Sequence, residues 1–235
     1  MTRSYGQYCG LSRALDVIGD RWNLLIVREL LAGPARYGRL LEGLPGLATN
    51  LLAGRLRALE AAGIVERRLS EQPNAVLYAL TPWGAGLREP IESLVRWSVP
   101  LMVRGPEGDI FRPHWIVTAL RALLAGKTAP RPAAVGIEID GRLVGLRATP
   151  GGIEVADWEP EADSRASEAD GREETGLRAS AGRAPNGDRY DAVVRAEPAI
   201  ILGLAAGALT LDQAADLVEI DGDERAARAA LGQPP

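Results

Sequence analysis

The sequence predicts an α+β protein in two parts: a helical N-terminal part closed by a β-hairpin, then a part in which helices alternate with short strands. Three observations carry this. Before residue 64, leucine-rich runs repeat at helical spacing and are punctuated by Gly33-Pro34, Pro45-Gly46 and Gly63. From Ile64, and again from Val135, β-rich runs appear between turn residues such as Asp140-Gly141. The charge also changes sign along the chain. Residues 1–105 carry 13 Arg against 9 acidic residues, a net of +4, and residues 106–235 carry 13 Arg and one Lys against 22 acidic residues, a net of −8.

The first part reads in order as follows. Leu11, Leu15 and Ile18 share one side of a short helix. Asp20 is placed to cap a second helix, which Trp22, Leu24, Leu25, Ile26, Leu30 and Leu31 bury nearly all round until Gly33-Pro34 stops it. A third helix from Arg36 to Leu44 turns Tyr37, Leu40, Leu41 and Leu44 inward. After Pro45-Gly46, Thr49 is placed to cap a fourth helix, in which Leu52, Leu56 and Leu59 form one stripe. The opposite side of this fourth helix shows Asn50, Gly54, Arg57 and Ala61, with Ala53 at its rim and no acid before Glu60. A face of small residues, one amide and one guanidinium suits close approach to a polyanion. Two short helices joined by a glycine-containing turn, the second with such a face, is helix-turn-helix organisation.

Ile64 to Leu69 and Val76 to Leu80 then read as two strands around a turn at Glu71–Asn74, with Arg67 and Arg68 at the hairpin base. A hairpin directly after such a helix is a wing. Thr81-Pro82 opens a helix through Leu87, Ile91, Leu94, Val95 and Trp97, interrupted at Pro90. Its apolar stripe either packs on the second part or forms a dimer seam.

In the second part, Phe111 to Ala125 is a helix carrying Trp115, Ile116, Ala119, Leu120 and Leu123. Val135–Ile139 and Leu143–Arg147 form a hairpin about Asp140-Gly141, and Ile153–Val155 adds a third strand. Residues 157–188 are polar, acidic and poor in aromatics, which predicts a mobile loop. Tyr190–Arg195 is a strand, Pro198–Gly207 and Thr210–Ala215 are helical, Leu217–Ile220 is a strand, and Asp221 or Asp223 caps a last helix ending near Gly232. The repeated Gly-Leu-Arg-Ala at 145–148 and 176–179 reads as a chance echo.

Composition excludes several classes. No run approaches the length of a membrane span and no basic-then-apolar leader opens the chain, so a soluble, cytoplasmic protein with no membrane partner is expected. One Cys rules out an intrachain disulfide and a cysteine zinc site. There is no nucleophile elbow, phosphate loop or dinucleotide fingerprint, metal ligands are not clustered, and the single His, His114, reads as a helix-start or packing residue. The expectation is no enzyme, no cofactor and no metal.

The ordered set Cys9, Gly19–Trp22, Leu41–Gly46, Arg55-Leu56, Leu59-Glu60, Gly63 and Leu80-Thr81-Pro82 resembles the HxlR family of winged helix-turn-helix regulators, relatives of MarR, over roughly the first hundred residues. Ala75 departs from it, standing where the family often has a basic residue. The resemblance implies homodimers that bind inverted repeats in double-stranded DNA, with residues 1–105 as the DNA-binding and dimerisation domain. On it, Arg36, Tyr37, Thr49, Asn50, Arg55, Arg57, Arg67 and Arg68 form the expected DNA contact. Asn50 offers a bidentate amide to adenine, and Arg57 meets guanine or phosphate. Arg55, beside the leucine stripe, either holds a phosphate or braces the domain. Some relatives sense oxidants through a cysteine near the N-terminus; Cys9 is read first as a small buried hydrophobe, with a redox thiol as the alternative.

Residues Ala199 to Leu231, and the order of elements over 109–235, resemble the sterol carrier protein type 2 fold. That resemblance implies a sheet with helices on one face and a tunnel for an apolar small molecule, with Trp115, Ile116 and Leu120 in the ligand-binding wall. The expected function is a DNA-binding transcriptional regulator, a repressor tuned by an apolar effector. Two alternatives stand beside it: a lipid or apolar-ligand carrier that uses its winged helix to dimerise, and a redox-switched repressor acting through Cys9.

Overall fold

The computed structural model describes residues 4–69, 76–102, 105–156 and 189–233. The expected turn at 71–74, the acidic loop at 157–188 and the second Gly-Leu-Arg-Ala lie outside the described residues. By its internal contacts the chain divides into two compact units, residues 1–94 and 95–235, and the division falls inside a helix.

The first unit begins with α1 (Gly10–Ile18), α2 (Asn23–Leu31), α3 (Tyr37–Gly43) and α4 (Thr49–Ala61). Its core is the contiguous set Ile26, Val27, Leu30, Leu31, Leu40, Leu44, Leu52, Leu56 and Leu59, joined by Ile64, Val65 and Ile91. The structure leaves one stripe outside this core and corrects one cap. The stripe of α1 does not enter this core: Leu11 and Leu15 are exposed, while Ser12 is buried and donates to Gln7 Oε1 at 2.6 Å. Asp20 does not cap α2; Trp22 holds that position, Asn23 N–H donates to the Asp20 carbonyl at 3.0 Å, and the Asp20 carboxylate pairs with Arg55.

Strands β1 (Val65–Leu69) and β2 (Val76–Leu80) pair antiparallel with Arg67 opposite Tyr78. Ala35 adds a one-residue third strand, exchanging two backbone hydrogen bonds with Tyr78 at 2.8 and 2.9 Å. A single bridging residue has no periodicity, so it left no mark in the pattern. Thr81 caps α5 (Pro82–Ala85), its hydroxyl accepting from Gly84 N–H at 3.0 Å. A second helix, α6 (Arg88–Met102), follows. The expected single helix therefore breaks at Gly86-Leu87 and not at Pro90. Pro90 lies in the first turn of α6, where its missing N–H would have had no intrahelical partner. Ile91 is buried, but Leu94, Trp97, Leu101 and Met102 remain exposed.

In the second unit, α7 (Trp115–Leu124) precedes the meander β3 (Ala133–Ile139), β4 (Arg142–Thr149) and β5 (Gly152–Val155). Asp140 and Gly141 both take positive φ, 49° and 75°, as the two-residue hairpin turn requires. Strand β6 (Ala192–Arg195) pairs parallel with β3, and β7 (Glu219–Gly222) pairs antiparallel with β6, giving the order β5-β4-β3-β6-β7. Helices α8 (Pro198–Ala206) and α9 (Glu224–Ala230) join α7 in one core with the inward positions Val135, Ile137, Val144, Leu146 and Val194. Lys127 Nζ donates to the Ala205 carbonyl at 2.6 Å and Gln233 Nε2 to the Leu204 carbonyl at 2.6 Å, satisfying the open end of α8. The expected helix at 210–215 is absent; this stretch is turns and one 3-10 turn, Ala215–Leu217. Asp223, not Asp221, caps α9.

Candidate nucleic-acid interface

Helix α4 is held by its leucines. Leu52, Leu56 and Leu59 are each at most 1% exposed, as their spacing predicts. That leaves Asn50, Arg57 and Ala61 exposed and Gly54 and Ala53 half-buried on the other side. The N-terminus starts one residue earlier than expected: Ala48 is the cap residue, its carbonyl accepting from Leu52 N–H at 3.0 Å, and Thr49 is the first helical residue. No side chain caps this end. Thr49 and Asn50 are both exposed beside its first N–H groups, an arrangement suited to an anion.

The turn between α3 and α4 is tied by Tyr37, whose hydroxyl donates to the Thr49 carbonyl. Tyr37 is half-buried and packs on the core, so its single donor already has an acceptor. Arg36, half-buried, is the cap residue of α3. Glu29, buried on α2, is paired with Arg28 at 2.8 Å and lies so close to Gly43 that a Cβ there would collide with its Oε2. Burial holds the Arg28 guanidinium below its ordinary pKa, and Glu29 works against that.

The remaining arginines fall into two groups. Arg57 has no ion-pair partner among the described residues. Arg55 pairs with Asp20, and its Nε is buried without an acceptor. On the hairpin, Arg67 Nη2 pairs with Glu60 Oε2 at 3.0 Å, and its guanidinium lies 5.8 Å from the centre of the Tyr78 ring. Arg68 meets Glu66 Oε1 at 2.6 Å through Nη2 and 2.7 Å through Nε. Asp20 and Glu60 reach Arg55 and Arg67 from other elements, with no fixed spacing that a single sequence would display, whereas Glu66 and Arg68 stand two residues apart on one face of β1.

Cys9 is a free, exposed thiol, which corrects the expectation of a buried small hydrophobe. It is the cap residue of α1, though its side chain makes no capping bond of standard geometry. The N–H groups of Ser12 and then Leu11 favour the thiolate and hold its pKa below that of an ordinary thiol.

In the second unit, Ile116 and Leu120 are fully buried in the core, while Trp115 is half-buried with its ring edge-on to Phe111 at 6.3 Å and His114 at 6.0 Å. A cleft of about 200 Å³ lies elsewhere, at the ends of β3 and β6, lined by Glu138, Asp140, Arg195 and Glu197 among others. Arg195 there is paired with Glu138 at 2.7 Å and Glu219 at 3.1 Å. Among the described residues no cluster of His, Cys, Asp or Glu could hold a metal ion, and no helix is long and apolar enough to cross a membrane.

Residues 17–104 match the HxlR-like helix-turn-helix family. The chain is 41% identical over 80 residues to an uncharacterised HTH-type transcriptional regulator of Synechocystis, sll1512, a match covering 34% of this chain and 59% of that one, so the chain spans under two thirds of that relative. It is 37% identical over 89 residues to the HTH-type transcriptional regulator YodB of Bacillus subtilis, covering 37% of this chain and 80% of that one. The crystal structure of quinone-bound YodB from B. subtilis aligns at 33% identity over 37% of this chain and 93% of that chain, with a TM-score of 0.34. The relatives are thus HTH-type transcriptional regulators, and the chain belongs to the HxlR-like helix-turn-helix family.

Proposed function

We propose that the chain is a homodimeric transcriptional regulator, a repressor, that binds an inverted repeat in duplex DNA. The observation that carries this is α4: an exposed Asn50–Arg57 face backed by a fully buried leucine stripe and followed at once by a hairpin. Small residues at Ala53 and Gly54 let the helix approach the base edges of the major groove, where Asn50 pairs with adenine and Arg57 with guanine or phosphate. Thr49 and Arg36 hold phosphate near the helix ends, and Arg67 and Arg68 do so from the wing. Tyr37 braces the turn, since its hydroxyl is engaged.

Exposed Leu94, Trp97, Leu101 and Met102 on α6, and exposed Leu11 and Leu15 on α1, support dimerisation. For the second unit, a five-stranded sheet and three helices packed on one apolar core support a sterol-carrier-like domain; an apolar effector beside Trp115, Ile116 and Leu120 has to open that core, because Ile116 and Leu120 are fully buried in it. A second reading, an oxidant-switched regulator, is favoured by one observation: Cys9 is exposed and its thiolate is stabilised.

The test is selection of bound duplexes from a random pool, with affinity then measured against salt. The reading requires recovered half-sites one helical turn apart, roughly 34 Å, and an affinity that falls as salt rises. No enrichment, with salt-insensitive or absent binding, rejects it. Cys9→Ser separates the second reading from the first: only an oxidant-switched regulator loses its response to oxidant.

A further inference from the structure

Three of the arginines expected at the DNA contact hold carboxylates. Arg55 pairs with Asp20, Arg67 with Glu60 at 3.0 Å, and Arg68 with Glu66 at 2.6 Å. The carboxylates come from three places: the turn between α1 and α2, the last turn of α4, and β1. Both partners of every pair reach solvent, with side-chain exposures of 26% and 51%, 49% and 35%, and 53% and 42%. Partly exposed pairs of this kind contribute little to stability. They are weak enough to exchange partners. A phosphate offers a guanidinium the same paired oxygen acceptors that a carboxylate does.

We infer that Asp20, Glu60 and Glu66 act as built-in phosphate mimics, occupying Arg55, Arg67 and Arg68 and so lowering the affinity of the first unit for the backbone of any duplex. The inference rests on the DNA-binding reading above and adds to it three acidic residues that set backbone affinity. To reach phosphate, each of these arginines leaves its carboxylate, and the carboxylate stays nearby as a like charge to the incoming strand. Arg57, without an ion-pair partner among the described residues, meets no such exchange. Because the exchange involves no base, it acts equally on every sequence. Arg55 adds a second contribution. Its buried Nε lacks an acceptor while Nη1 is on Asp20, so its hydrogen bonding is incomplete in the paired state.

The experiment measures fluorescence anisotropy of the full chain on two duplexes, one of random sequence and one from the selection, across a series of salt concentrations. The variants are Asp20→Asn, Glu60→Gln, Glu66→Gln and the triple combination, each checked for an unchanged thermal transition. Each single change should tighten both duplexes alike, about two- to fivefold. The triple variant should steepen the salt slope, by up to about 0.9 for each arginine freed. In an Arg55→Gln background, Asp20→Asn should then gain clearly less than in the parent, because only the like-charge repulsion is left to remove. Unchanged or weaker binding overturns the inference, and so does a gain that is undiminished without Arg55, which would reflect net charge alone. Should Asp20→Asn unfold the unit, Glu66→Gln, on the exposed wing, separates the same outcomes. If neither the parent nor the triple variant binds any duplex, the DNA-binding reading falls as well; if the parent binds and no variant gains, only the phosphate mimicry falls.

Discussion

Arg55 and Arg57 stand two residues apart on α4 and face different chemistry. Arg57 is exposed, whereas Arg55 is turned to Asp20 with its Nε buried. The heptad-like leucines told which side of the helix was inward, and so Arg57 was legible as a surface guanidinium. Arg55 was not, because its partner is distant in sequence and only the fold brings Asp20 there. Asn50 is the sharper probe of the site. Asn50→Ala should lose discrimination at one base position by about 1–3 kcal/mol and leave other positions unchanged, as read by competition among duplexes differing at single positions. Cys9 offers a second test. Its thiolate is favoured in the folded chain, so the folded pKa lies below the unfolded one. Alkylation should therefore titrate at lower pH in the folded protein than in the denatured one, and the difference should vanish above both values. Equal midpoints would mean that the N–H groups of Ser12 and Leu11 do not act on the sulfur. Its exposure could not be foreseen, since cysteine alone is compatible with core and surface.

At the level of elements, spacing located most helices and strands, and it failed where an apolar stripe has no partner among the described residues of its unit. The stripes of α1 and α6 were legible as stripes, but periodicity does not say what covers them. Leu11 is 68% exposed and Trp97 74%. Replacing an already exposed side chain removes little core packing, so Trp97→Glu should keep the thermal transition while shifting sedimentation from dimer to monomer and weakening duplex binding. A monomeric parent would remove the basis of that prediction. By contrast, Leu56→Ala, at 1% exposure, should lower the unfolding free energy by about 2–5 kcal/mol. Gly84 shows how a short helix is fixed by a neighbour: a Cβ there would collide with the Ile64 carbonyl, which also accepts from Thr81 N–H at 3.0 Å. Gly84→Ala should thus destabilise the wing's junction with α5, seen as faster amide exchange in β1 and β2. The break at Gly86 was misplaced to Pro90 because proline is a breaker only inside a helix, not in its first turn.

For the whole molecule, the charge asymmetry of the sequence marked two parts, and the contacts divide the chain into two compact units. What the sequence left hidden in the second unit was its strand order, since parallel pairing between β3 and β6 carries no local signature. That pairing has a consequence for how the unit assembles. The meander β3–β4–β5 joins neighbours through short turns, whereas β6 returns to β3 across large separations: Ala134 and Asp191, and Glu138 and Arg195, are each 57 positions apart. Contacts that close long stretches of chain form slowly, because the entropy of closure precedes the gain. The meander is thus expected to form first, with β6 and then β7 docking in a later, rate-limiting step. Halving the chain between β5 and β6 should favour that closure by about 0.6 kcal/mol, accelerating refolding nearly threefold while leaving unfolding almost untouched.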